Sequence, residues 1–315
     1  MSARIPLPVH LATGPFTVAA GRSAGLSAKR MRGSDLARPF RGVRTVGRVD
    51  STADRVEAAC ECLQPGQFFS HSTAAFVLEV PVPSSPSPSI HVSSILPDTA
   101  PVRSGIVGHR LRPLPGGVVL LRGMPVSSPL ATWCQLGAEL DLGSLVAAGD
   151  FVVTSAEPPV TLDELSAAAS AWAGRPGAEM LRTAVPHVRV GPLSRPESLS
   201  RLLFVAAGLP EPECNGIVRT ESGAFLAMGD LVWRKQRQVA EYEGDHHRTD
   251  RRQFRRDIRR REQVEDHDWR LTRFTGDDLF ARQRELLERI AGRLGIRLHP
   301  VALQRALRLG ATFRP

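Results

Sequence analysis

Hydrophobic and polar positions alternate in three different ways along this 315-residue chain, and each way predicts a different kind of structure. From residue 15, in PFTVAAGRSAGLSAKRM, short apolar clusters are spaced for two brief helices. Thr17 is placed to cap one that ends at Gly25, and Ser27 to cap a second, AKRMRGSDL. FRGVRTV then alternates in strand fashion around Gly42. Two short helices joined at a glycine and followed by a strand outline a winged helix-turn-helix over 1–48. Residues 49–156 mix a helix (ADRVEAACECL) with short β-like runs such as SIHVSSI, GIVGHRL and GGVVLLRGMPV, interrupted by the proline–serine loop PVPSSPSPS.

Over 157–191 a helical connector is expected. TLDE is a capping box from Thr161, and the helix runs through Trp172 to Gly174. The segment 192–300 reads as one further domain. A helix, PLSRPESLSRLLFVAAG, ends at Gly208. Three strands follow (NGIVRT, AFLAMGDLVW and QVAEYEG), then a charged helix over 248–267, a strand WRLTRF, and a closing helix DDLFARQRELLERIAGRL. Residues 301–315 are left as a tail. The overall fold class is α/β (α+β in total), with an α-β-β-β-α-β core near the C-terminus.

Charge adds a partner to this outline. The net charge is +9, and an acidic polymer, most simply DNA, is the partner such a balance fits. Lys29 and Lys235 are the only lysines, so arginine carries nearly all of the positive charge, a bias that a high-GC genome also produces. Lys29, Arg30 and Arg32 sit where a recognition helix meets base edges and phosphates. Arg252, Arg256 and Arg260 lie on the charged helix. The bland reading of both groups is a solvated face. Cys60, Cys62, Cys134 and Cys214 form neither a CxxC pair nor a disulfide framework, which fits a reducing, cytoplasmic setting. No apolar run is long enough to span a membrane, and the N-terminus lacks a signal-peptide pattern. Ser70 and His71, with Thr73, lack a third orienting group, so Ser70 reads as a helix cap and not as a nucleophile.

The chemistry concentrates in VAEYEGDHH, residues 239–247. Residues two apart on a strand share a face about 6.6 Å apart. Val239, Glu241 and Glu243 therefore point one way, with the acids at the sheet's rim. If Glu241 meets Asp230 and Glu197 within about 5 Å, each pair repels by about 3 kcal/mol at an effective dielectric of 20. Such a set takes up protons or holds a cation, and oxygen donors favour Mg²⁺ or Mn²⁺. The bland alternatives are a capping box for Glu197 with Ser194, a turn for Asp230, and a turn at Glu243-Gly244-Asp245. His246 and His247 are surface residues or proton carriers.

The ordered set PESLSRLLFVAAGLPEPE, GDLVW, VAEYEGDHH and DIRRREQVEDHDWRLTRFTGDDL resembles the PD-(D/E)xK nuclease-like domain related to very-short-patch-repair endonucleases, over roughly residues 190–295. More weakly, FTVAAGRSAGLSAKRM, FRGVRTV and SHSTAA resemble abortive-infection antitoxins of the AbiEi type. The resemblance implies a restriction-endonuclease-like core behind a winged-helix region. It implies Glu197, Asp230 and Glu241 as metal ligands, Glu241, Glu243 and His247 as catalytic residues, and Asp257 and Arg260 on the following helix. It also implies Mg²⁺ (or Mn²⁺), DNA, and a cognate toxin as partners. The family's signature lysine is absent, and Glu243 stands in its place. The reading is therefore an Mg²⁺-dependent DNA endonuclease-like protein of a bacterial defence or toxin–antitoxin module. The alternative is a non-catalytic DNA-binding regulator on a degenerate nuclease fold, and a third reading is an interaction scaffold with incidental basicity.

Overall fold

The computed structural model describes residues 6–83, 89–156, 160–244 and 266–314, and the chain divides into two compact units. The first comprises residues 1–79 and 85–132, and the second residues 80–84 and 133–315. Both mix helices with sheets.

In the first unit, α1 (Val9–Ala12), β1 (Phe16–Thr17) and α2 (Val18–Ser23) lead to a single 3-10 turn, Arg30–Arg32, then β2 (Leu36–Ala37) and β3 (Val43–Val46). The Thr17 hydroxyl accepts from the Ala20 amide, and Gly25 takes a left-handed φ of 81° just past the helix, as the sequence predicts. The second expected helix does not extend. Ser27 does accept from the Arg30 amide, but what it caps is one 3-10 turn that stops at Gly33. Gly33, Ser34 and Asp35 favour turn over helix, and β2 follows at once. The strands order as β1-β3-β2, and Leu11, Phe16, Leu26, Met31 and Leu36 make a small core of their own.

The rest of this unit is α3 (Thr52–Cys60), β4 (Gln67–Phe69), α4 (His71–Val77), β5 (Ile90–Ile95), β6 (Ile106–Leu111), β7 (Val118–Leu121) and β8 (Met124–Ser127). Ser51 and Asp54 form a reciprocal capping box that starts α3. The five strands order as β6-β5-β4-β8-β7, with β5 and β6 parallel. Phe69, Ile90, Val92 and Val126 are buried in this sheet and pack with Val56, Ala59, Ala74 and Val77 from the two helices.

Helix α5 (Pro129–Leu136) carries the chain from one unit to the other. The second unit continues with α6 (Leu142–Thr154), α7 (Leu162–Ala171), α8 (Ala178–Ala184), α9 (Arg195–Ala206), β9 (Glu213–Arg219), β10 (Phe225–Trp233), β11 (Gln238–Glu243), β12 (Arg270–Thr275), α10 (Gly276–Phe280), α11 (Gln283–Leu294) and α12 (Pro300–Gly310). The Thr161–Glu164 capping box and the left-handed Gly174 bound α7 as its pattern predicts. Two expectations change. The closing helix is two helices, and the "tail" is mostly α12, which packs against α9 through the Arg305 guanidinium on the Ala206 carbonyl.

The sheet orders as β12-β11-β10-β9, with β9, β10 and β11 antiparallel neighbours and β11 parallel to β12. A parallel pair requires a crossover between its strands. The expected helix 248–267 falls in that connection, and all but its last two residues lie outside the described residues. Phe204 of α9 packs on Trp233 and Phe274, so α9 covers the sheet face that carries Leu231, Ala240 and Tyr242. The other face carries Val232, Val239 and Leu271, which cluster with Val218, Ala227 and Trp269.

Candidate functional site

On that second face, the register across the sheet places Asp230 opposite Glu241, because Leu231 pairs with Ala240 and Val232 with Val239. Glu241 in turn pairs with Arg273 of β12. The apolar pairs Val232–Val239 and Val239–Leu271 lie one step inward on the same face. The acids therefore stand where the buried strip gives way to the rim, as the alternation of VAEYE predicts. The Tyr242 amide donates to an Asp230 carboxylate oxygen at 2.8 Å, which ties the acid of β10 to the backbone of β11.

Arg273 answers the charge of this rim. Its Nη1 is 2.8 Å from the Glu243 carboxylate, and its Nε is 3.8 Å from that of Glu241, whose side chain is only 13 % exposed. Clustered acids need a proton or a cation. Here a guanidinium from the neighbouring strand supplies positive charge at both glutamates. The residue lies 30 positions from Glu243, on the far side of the crossover, and no local motif announces it.

Glu197 has a different task. It sits in the first turn of α9 and is 8 % exposed. One carboxylate oxygen accepts from the Ser194 hydroxyl at 2.7 Å. The other accepts from the Leu193 amide at 2.9 Å and the Asn215 side-chain amide at 2.7 Å. With both oxygens engaged by three donors, Glu197 closes the start of α9 and anchors β9. Asp230 and Glu241 belong to the sheet face opposite the one α9 covers. The three acids expected to share an ion are not brought together as one set. Among the described residues, the group of three whose ligand atoms lie within 4.8 Å of one another is His71, His91 and His109.

The fit to magnesium is therefore partial. Asp230 and Glu241 offer hard oxygen donors side by side, and Mg²⁺ is commonly held by one or two carboxylates while it keeps several waters. Glu197 does not join them. His247 and its neighbour His246, with Arg252, Arg256, Asp257 and Arg260, lie outside the described residues. In the first unit, Lys29 and Arg32 are exposed, but Arg30 is not available to a ligand in this structure. Its guanidinium pairs with Asp35 at 2.8 Å, and its side chain is 8 % exposed.

The cysteines offer no thiolate. Burial raises all four, Cys134 and Cys214 to about 12, so each is a protonated thiol near neutral pH. Ser70 corrects another expectation. It occupies the N-cap position of α4, yet its hydroxyl makes no cap bond. It accepts from the Ser93 hydroxyl at 2.6 Å and lies 3.0 Å from His71 Nδ1. Burial and then the imidazoles of His109 and His91 press His71 down to about 3. Burial and then His109 lower His91 to about 4, and burial lowers His109. The three are neutral at physiological pH. Each stands alone in its segment (SHS, IHV, GHR), so only the strand register could have revealed the group.

No protein-family model matches the chain, and no curated protein matches it in sequence. The nuclease-like reading rests on the residues themselves.

Proposed function

We propose that this chain is a DNA-binding protein whose second unit is nuclease-like and hydrolyses phosphodiester bonds with a divalent ion at Asp230 and Glu241. The observation that carries the reading is the pairing of these two acids on one sheet face, at the rim of a β9–β10–β11 meander preceded by α9 and followed by a parallel β12. The described elements run α9-β9-β10-β11-β12, which is compatible with the expected α-β-β-β-α-β order; the helix expected between β11 and β12 lies, but for its last two residues, outside the described residues. A bound ion would draw charge from a phosphate and acidify a water. In the hydrolysis, water oxygen bonds to phosphorus, the bond from phosphorus to one ester oxygen breaks, and a proton passes to that leaving oxygen. Arg273 supplies positive charge beside Glu241, a role the missing lysine of the motif would otherwise fill. The +9 net charge favours approach to the DNA backbone.

One observation favours a second reading, a DNA-binding regulator without hydrolysis. Arg273 already offsets part of the charge of the two glutamates, which favours their standing together without a metal. Incubating the protein with supercoiled plasmid and Mg²⁺ separates the two. Metal-dependent nicking that disappears in Glu241→Gln, with DNA binding retained, is the expected result. A retarded but intact plasmid, unchanged by the substitution, leaves the regulator. If nothing is retarded even at low salt, both fail.

A further inference from the structure

We propose that His71, His91 and His109 form a binding site for one late first-row divalent metal ion, zinc foremost, in the first unit of the chain. Three separate elements deliver the three rings. His91 is on β5 and His109 on β6. Because His91 pairs with Val107 and Ser93 with His109 in the parallel ladder, the two histidines share a sheet face, one step apart along it. Their rings lie nearly parallel, 12° apart, with centroids at 5.1 Å, and His91 Nδ1 is 2.9 Å from His109 Nε2. His71 opens α4 directly after β4. Its φ of 54° is a left-handed value, uncommon outside glycine but one that histidine, asparagine and aspartate adopt more readily than other residues. Its ring stacks on His109 at 4.0 Å and stands 5.6 Å from His91.

The donor set selects the ion. Three half-buried neutral imidazoles suit zinc, cobalt, nickel or copper and offer nothing to magnesium. Three protein ligands leave one tetrahedral position for water or an anion, the arrangement of an open zinc site. With zinc–nitrogen bonds of about 2.0–2.1 Å, two tetrahedral ligand atoms stand roughly 3.3 Å apart. The His91–His109 contact needs only a few tenths of an ångström of opening to reach that. Ser70, which is fully buried, fixes the third ring. With Nδ1 at that hydroxyl, Nε2 is the atom His71 would offer to an ion, and Ser93 holds Ser70 in turn. A purely hydrogen-bonded cluster explains the proton shared between His91 and His109. It gives no reason for a third imidazole brought onto the pair from a separate element. The site is independent of the acids in the second unit.

The test uses the full-length chain stripped with EDTA and titrated with zinc against a chromophoric chelator, then with cobalt. One equivalent is expected, with visible cobalt bands typical of a low-coordinate nitrogen-rich site. Loss of a partner that merely orients a ligand costs about 10–100-fold in affinity, so removing two ligands in His91→Gln/His109→Gln should cost at least about 100-fold. His246→Gln/His247→Gln, which removes the adjacent pair in the sequence, should bind as before. Should the first variant fail to fold, diethylpyrocarbonate footprinting of the wild-type chain decides, with zinc expected to protect His71, His91 and His109. The proposal is overturned if zinc does not bind, if it binds equally in His91→Gln/His109→Gln, if binding is lost in His246→Gln/His247→Gln, or if zinc leaves the three histidines as reactive as before.

Discussion

His71 and His91 show how a single buried side chain couples stability to pH. In the metal-free chain, burial and neighbouring imidazoles depress their folded pKa values to about 3 and about 4, against an ordinary 6.5. Below pH 6.5 the unfolded chain therefore binds protons that the folded chain refuses. Stability contributed by these groups is complete above 6.5 and falls as the pH drops toward 4 and then 3. Ordinary carboxylates remain ionised over most of the first part of that window. Denaturant midpoints of the stripped protein should thus decline from pH 7 to pH 5, and the slope should flatten in His91→Gln. An equal slope in the variant would show that the imidazole is solvated. Arg273 and Glu197 illustrate the same scale with fixed charges. What each residue does depends on which partners it meets: Ser194 beside Glu197 is legible as a capping box, whereas Asn215 at Glu197 and the glutamates at Arg273 are read from no motif.

Among the elements, α6 and α9 carry the most consequential contact of the second unit. Every position of α6 from Gly143 to Asp150 is buried. Gly143 is needed where Phe313 and Leu199 press on the helix, since a Cβ there would meet the Phe313 ring at 2.4 Å. Asp150 is held by Arg201 of α9 at 3.0 Å, with both side chains at or below 2 % exposure, and it accepts from the Arg189 amide at 2.7 Å. Arg201 also donates to the His187 carbonyl and to Glu211. Removing one member of a buried ion pair strands the other in a low-dielectric interior. Asp150→Ala should lower unfolding free energy by about 3–5 kcal/mol in a urea titration. A loss below about 1 kcal/mol would mean that Glu211 and the His187 carbonyl suffice for Arg201.

At the level of the whole molecule, two compact units have separate sheets and cores, and the positive charge is almost entirely arginine. No helix among the described residues is long and apolar enough to cross a membrane. If the basic surface serves DNA, binding releases counterions, and affinity must respond to salt. With six to ten phosphate contacts, the dissociation constant should rise by about 10³–10⁵ between 50 and 200 mM salt. A flat salt response would remove the backbone contacts on which the DNA-directed reading depends.

The elements most legible in the sequence are those fixed by neighbours a few positions away. Thr17 and Gly25 bound α2, Thr161 and Glu164 start α7, and the alternation of VAEYE puts Val239 and Glu241 on one face of β11. Capping and side-chain alternation act over two to four residues, so a linear reading captures them. The turn after Ser27 stayed short because Gly33 and Asp35 outweigh a cap, a local competition that the apolar pattern hid. What only the tertiary structure decided is which groups meet. Asp35 claims Arg30, Asn215 helps to claim Glu197, Arg273 reaches across from β12 to Glu241 and Glu243, and three histidines from α4, β5 and β6 converge. Apart from Arg30–Asp35, these meetings join residues 18 or more positions apart. Strand register and helix packing set such contacts, and sequence spacing does not encode either of them.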